Sequence, residues 1–268
     1  MNKKTHLYIP DTQVRPGVCL NHLNALGHYI VHNKPDVIIQ AGDFTDMHSL
    51  SSYDTGKKSG EGARYEEDIR SAKKAMAVLM APIVAYNKKR KKQKKGQYLP
   101  RLHLTLGNHE NRINRHVNSY PVLDGRLSTL DLDYGKFGWK VHDFLEVIEL
   151  DGISYSHYFP RNAAGRIVQT RHGAPCARLQ VQREGRSCTS GHLQGLDIHL
   201  QQRADKIHTG LIAGSFYMHE EDYLGPQGTA YWRGIIYKHE VDDGSYDPMM
   251  VSMKYLLDNW YDGGEYNA

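Results

Sequence analysis

The chain has 268 residues, enough for one sizeable core, and its 40% hydrophobic and 24% charged residues are those of a globular domain. No apolar run approaches the roughly 18 residues that a membrane span requires, and the amino terminus does not resemble a signal peptide. Three scattered cysteines, Cys19, Cys176 and Cys188, offer neither a disulfide framework nor a zinc knuckle, so the expectation is a cytoplasmic protein with no membrane partner. The net charge of +4 is unevenly spread, because Lys88 to Lys95 (KKRKKQKK) holds seven cations and leaves the remainder of the chain net negative.

In chain order, His6 to Ile9 reads as a short buried strand ending at Pro10-Asp11. Leu20, Leu23, Leu26 and Ile30 recur at helical spacing, and that helix should stop near Asn33-Lys34-Pro35. Asp36 to Gln40 is a second strand, ending in Ala41-Gly42-Asp43. Ile69, Ala72, Met76, Leu79 and Ile83 mark another helix, which Pro82 should kink or end. The basic run then reads as a solvated loop, with contact to a nucleic-acid backbone as its functional alternative. Leu102 to Leu106 is a third strand, ending at Gly107-Asn108-His109-Glu110.

The second half differs. Leu145 to Leu150 and Ile153 to Tyr158 flank the two-residue turn Asp151-Gly152 and predict a hairpin. Ser187 to Thr189, Ile207 to Ala213, Tyr231 to Val241 and Met249 to Tyr255 are further strand-like runs. The strand–helix alternation of the first half predicts a parallel sheet covered by helices. The later strands predict a second, largely antiparallel sheet packed on the first. The whole, residues 1–268, reads as one domain with an insertion at about 50–100 that carries the basic loop.

All three early strands end in residues that ligate metals, at the carboxyl edge where open α/β sheets bind ligands. Five segments recur in this setting: Asp11-Thr12-Gln13, Gly42-Asp43-Phe44-Thr45-Asp46, Gly107-Asn108-His109-Glu110, Ser156-His157 and Gly191-His192-Leu193-Gln194. Each sets a carboxylate, amide or imidazole on a turn, the mixture a dinuclear site needs to bridge two cations and complete both shells. Singly they are weak, since the chain has sixteen histidines. Their order and placement carry the argument. Tyr217, His219, Tyr223, Tyr231 and Trp232 cluster after the last segment, as sheet filling or as a surface for stacking a base.

The series resembles the calcineurin-like metallophosphoesterase superfamily, whose motifs run D-x-H, G-D-x-x-D, G-N-H-D/E, H and G-H-x-H. The likeness spans residues 11 to 194. It implies a four-layered α/β/β/α sandwich of two mixed sheets flanked by helices. It also implies a phosphoesterase that hydrolyses a phosphate monoester or diester, nucleotides among the candidates, by metal-activated hydroxide. By position, Asp43 would bridge two metals, one held by Asp11, Gln13 and Gln194, the other by Asn108, His157 and His192. His109 would be the general acid or a charge stabiliser at the leaving oxygen, oriented by Asp46, and Asn108 would meet the substrate phosphate; outside the family pattern, Arg112 in the next loop could also hold that phosphate. For Arg112 an exposed helix surface is the competing reading.

The resemblance breaks at two positions, because the family pattern has histidine where this chain has Gln13 and Gln194. Both fall in one metal site. If they ligate through their carbonyl oxygens, that site favours Mn²⁺ or Mg²⁺ over Zn²⁺ or Fe. The alternatives are that His48 or His199 supplies the missing nitrogen, or that the site is empty. The arginine that follows the second motif in protein Ser/Thr phosphatases is also missing, since Met47-His48 follows Asp46. The paired glutamines and compact chain resemble bacteriophage-encoded members, which would work in a host cytoplasm. Two functions compete with the leading one: a nuclease whose basic loop guides DNA or RNA, and a catalytically inactive binding protein on the same fold.

Overall fold

The computed structural model describes residues 3–54, 56–160, 167, 169, 176–204, 206–220 and 231–268. Its first strand, β1 (Lys4–Ile9), is followed by α1 (Asn21–Asn33) and β2 (Val37–Gln40). Next come α2 (Tyr65–Lys92), β3 (Arg101–Thr105), α3 (Asn111–Ser119) and β4 (Lys140–His142). Strands β1 to β4 pair in parallel, as the alternation predicts. Leu7, Ile9, Ile38 and Leu104 pack under α1 and α2, while Tyr8, Val37 and Ile39 point the other way. This two-residue alternation lets one sheet serve two cores. α1 ends where expected, with Lys34 at φ 49° donating its N–H to Ile30 before Pro35.

The second half supplies β5 (Ile148–Leu150), β6 (Ile153–Tyr155), α4 (Ala177–Glu184), β7 (Cys188–Ser190), β8 (Leu196–Gln202) and β9 (Ile207–Ala213). It closes with β10 (Gly234–Asp242), β11 (Ser245–Ser252) and α5 (Met253–Trp260). Strand order is β11-β10-β1-β2-β3-β4 in one sheet and β5-β6-β7-β9-β8 in the other. Ile153, Tyr155, Leu211 and Ala213 of the second sheet meet Tyr8, Val37, Ile39 and Ile236 of the first. Val181 of α4 covers the second sheet's outer face at Cys188. The layers are therefore helix, sheet, sheet, helix, with both sheets mixed.

Several expectations are corrected. The second sheet is not largely antiparallel, because its three inner strands β6, β7 and β9 run parallel. β10 and β11 extend the first sheet instead. Leu145 sits at φ 67° and cannot extend β5, and Met253 to Tyr255 open α5, which Ser252 caps by accepting the Tyr255 N–H. Pro82 does not end α2. It is buried against α1 at Gly27, where a Cβ would come within 2.8 Å of the Pro82 ring, so interhelical packing offsets the lost hydrogen bond. The basic run is not a loop either, since Lys88 to Lys92 are helical and favour the negative end of the α2 dipole.

Candidate metal centre

The loops after β1, β2 and β3 converge at one end of the first sheet. Residues 42–46 and 107–110 are joined by Glu110, a fully buried carboxylate to which the sequence pattern assigns no role. Glu110 accepts from the N–H groups of Asp43, Phe44 and Gly107 at 2.8 Å and of Thr45 at 3.2 Å. Burial and neighbouring Asp43 push its carboxyl upward, against the pull of those donors. Its signal was the acidic fourth position of Gly107-Asn108-His109-Glu110. The loops touch closely, because a Cβ on Gly107 would lie 2.0 Å from Asp43 Oδ1.

Asp43, His157 and His192 each offer a ligand atom, and these atoms lie within 4.8 Å of one another. His157 Nδ1 faces Ala41 O at 2.8 Å, and a carbonyl only accepts, so Nδ1 carries the proton. Nε2 then points at Asn108 Oδ1, 2.9 Å away, and at Asp43 Oδ2, 3.4 Å away. A nitrogen and two oxygens thus converge lone pair to lone pair, and only a proton or a cation makes the arrangement favourable. Burial opposes charging His157, yet Asp43 and Asp11 push its pKa up to about 9. Burial and the His157 charge push His192 down to about 3. Burial raises carboxyl groups in general, but His109 and His157 hold Asp43 well below its ordinary value.

Asp11 is fully buried beside this group. Its Oδ1 accepts the His192 N–H at 2.9 Å, and its Oδ2 has no hydrogen-bond partner. Burial, with Asp43 adding to it, raises the Asp11 carboxyl to about 7. Gln13 is buried, and its Oε1 also lacks a partner. Gln194 differs, because its Oε1 accepts the Tyr217 hydroxyl at 2.8 Å. Nothing in the sequence foretold this contact. Gln13, Asp43, His192 and Gln194 all have positive φ, from 44° to 67°. Strained backbone at non-glycine residues is common where a site dictates side-chain direction.

His109 lies at the rim, with Nδ1 donating to Asp46 Oδ1 at 2.8 Å and Nε2 3.7 Å from Asp43 Oδ2. Burial lowers its pKa, but Asp43 and Asp46 outweigh it and leave it raised. Asp46 is driven the other way, to about 2, by His109, Arg112 and Arg15 against the effect of burial. Arg112 is not an exposed helix arginine: Nη1 donates to Asp46 O at 2.7 Å and Nη2 is 3.4 Å from His109 Nε2. His48 lies 3.9 Å from Asp46 and 3.7 Å from Asp54. His199 pairs with Gly210, whose Cβ direction points at α4, so it faces outward from the second sheet. Among the described residues neither histidine joins a ligand group with Asp11. Tyr217 stacks on His219 at 4.7 Å, and Trp232 packs against the inter-sheet core. Tyr223 lies outside the described residues.

No family model matches the chain, and no curated protein does. Among solved structures it is similar to a conserved uncharacterized protein from Streptococcus pneumoniae, described as a predicted phosphoesterase. The two are 13% identical over 100% of this chain and 99% of that one, with a TM-score of 0.40. No helix among the described residues is long and apolar enough to cross a membrane.

Proposed function

We propose that the protein is a metal-dependent phosphoesterase acting on small phosphate esters, with two divalent cations sharing Asp43. The observation that carries this reading is the convergence of His157 Nε2, Asn108 Oδ1 and Asp43 Oδ2 beside the partnerless Asp11 Oδ2 and Gln13 Oε1. Asn108, His157 and His192 would hold one cation, and Asp11 and Gln13, through the partnerless Oδ2 and Oε1, would help hold the other. The donor set fits such a pair of ions, with Mn²⁺ or Mg²⁺ suited to the oxygen-rich half. When bound, the cations supply Lewis-acid charge to the phosphoryl group and make water a nucleophile at neutral pH.

The chain's own residues do the rest. Asp46 fixes the His109 tautomer, so Nε2 is the nitrogen facing the centre. Asp43 and Asp46 favour a proton there, available to a departing oxygen. Arg112 anchors Asp46 and sets its second guanidinium nitrogen beside His109 Nε2, within reach of a phosphate bound there. A binding protein on this scaffold would have no use for the His109–Asp46–Arg112 arrangement.

The test is hydrolysis of p-nitrophenyl phosphate and its bis ester after chelator treatment and readdition of Mn²⁺, Mg²⁺, Zn²⁺ or Fe²⁺. Activity should vanish with the chelator and return with a cation. His109→Gln should lower turnover on alkyl esters by roughly 10²–10⁴ and much less on p-nitrophenyl esters, whose leaving group needs little protonation. No hydrolysis with any of the four ions would overturn the proposal.

A further inference from the structure

α2 runs the length of the sheet. Near its start, Asp68 accepts the Ser49 N–H at 2.9 Å and feels Asp46 and His48, so this end lies beside the candidate centre. Near its finish, Asn87 bonds both polar backbone groups of Tyr98, and the Tyr98 hydroxyl reaches Pro35 O, just before β2 begins. From Asp68 to Lys92 is 24 residues of helix, about 36 Å at 1.5 Å per residue. The basic run therefore sits at the opposite end of the parallel strands from the loops that carry Asp43 and Asn108.

At that end Lys88, Lys89, Lys91, Lys92, Lys94 and Lys95 are all exposed. The ion pairs among the described residues use other cations. Lys88, Lys91 and Lys92 fall on one helical stripe at i, i+3 and i+4. The fold fixes this display: Arg90 donates to Gly96 O at 2.7 Å, and Lys34 lies 5.1 Å from the Tyr86 ring, over which Arg90 also stacks. The apolar face of α2, at Leu79 and Ile83, is already spent in the core. The apolar residues it exposes near this end, Ala81, Val84 and Ala85, are small and offer little to a lipid surface.

We infer that the carboxyl-terminal end of α2 is a docking surface for the phosphate backbone of a nucleic acid, separate from the candidate centre and independent of its reading. The charge alone selects the partner's chemistry, since the rest of the chain is net negative and would repel a polyanion. Four phosphates neutralised on duplex DNA would give a slope of log K against log salt of about −3.6, with non-specific dissociation constants of about 10⁻⁴–10⁻⁶ M.

The experiment is fluorescence anisotropy of a labelled 20-base-pair duplex, titrated with the whole chain and with the Lys88→Gln/Lys91→Gln/Lys92→Gln/Lys95→Gln variant between 50 and 200 mM salt. The expected result is binding that weakens with salt in the unaltered chain. The variant should lose about tenfold or more in affinity at 50 mM salt and show a shallower slope. Saturating duplex should leave hydrolysis of p-nitrophenyl phosphate unchanged. Equal binding by both proteins, inhibition of the small substrate by duplex, or capture of phosphatidylserine vesicles without duplex would each overturn the inference.

Discussion

Two buried polar centres lie between the sheets, built a few residues apart on the same three strands. β1 gives Tyr8 to one and leads to Asp11 in the other. β6 gives Tyr155 and leads to His157, and β7 gives Thr189 and leads to His192. At the candidate metal centre, His157 Nε2, Asn108 Oδ1 and Asp43 Oδ2 crowd together, and Asp11 Oδ2 and Gln13 Oε1 find no donor. Around Lys238 the inventory is inverted: a fully buried amine donates to Thr189 Oγ1 at 2.5 Å and Tyr155 Oη at 3.2 Å, with no carboxylate partner among the described residues. Three tyrosine faces, of Tyr8, Tyr155 and Tyr246, lie 4.4 to 5.8 Å from it. Buried polar groups are tolerated when their partners are complete. The inner centre carries its own amine, although the Tyr8 and Tyr246 hydroxyls have no hydrogen-bond partner, whereas the outer one calls for a proton on His157 Nε2 or a cation.

The sharpest way to break that contrast is Asp43→Asn. It removes the charge that would be shared by the two proposed cations while keeping the side chain's size. Outer-shell changes around metal ligands already cost 10–100-fold in metal affinity or activity, so this change should cost more than about 100-fold in hydrolysis. Circular dichroism should show the fold retained, because the Glu110 staple and the Gly107 contact do not need the Asp43 charge. Hydrolysis within tenfold of the unaltered protein would remove Asp43 from the chemistry.

The parallel strands, the end of α1 and the convergence of Asp43, His157 and His192 could be read from the sequence because their signals are local. Alternation at Leu7-Tyr8-Ile9, Pro35 after Lys34, and a ligand-type residue after each strand need no tertiary information. What stayed hidden depends on long-range contact. Pro82 predicts a kink or an end to α2, and its contact with Gly27 of α1, which carries the helix past it, is not visible in the local pattern. The three lysines of the basic stripe looked mobile because charge repulsion predicts that, and the preceding helical turns override it. The Tyr217–Gln194 hydrogen bond joins residues 23 apart whose loops meet only after β8 and β9 form.

That hydrogen bond divides the outer centre further, and a smaller effect tests it. Gln13 Oε1 has no partner, so Gln13→Ala should weaken the weaker step of a calorimetric Mn²⁺ titration by about 10–100-fold. Gln194 has already given its oxygen to Tyr217, so Gln194→Ala should weaken it by less than about tenfold. Tyr217→Phe frees that oxygen and should tighten the step. Equal losses for both glutamines would show that Gln194 turns from Tyr217 to the ion. No loss for either would leave Asp11 and Asp43 to hold it alone.

The last test concerns the inner centre and is read as stability against pH. Burial drives the Lys238 pKa well below the ordinary 10.5, and the ring faces and hydroxyls soften that penalty without abolishing it. Between its folded pKa and 10.5, the unfolded chain binds a proton at this lysine that the folded chain does not. Unfolding is therefore favoured as pH falls, and stability from this residue rises with pH by up to about 1.4 kcal/mol per unit across that window. Lys238→Met fills similar volume without a titrating group and should flatten the dependence between pH 6 and 9.5. The measurement is urea unfolding of both proteins at several pH values, where residues remote from Lys238 cancel in the difference and His6, whose pKa Lys238 helps hold down to about 4, contributes chiefly at the acid end. A difference that grows steadily with pH is the expected result. Parallel curves would mean that Lys238 keeps its charge when folded, held by the three tyrosines, and the inner centre would then be the one that carries a cation of its own.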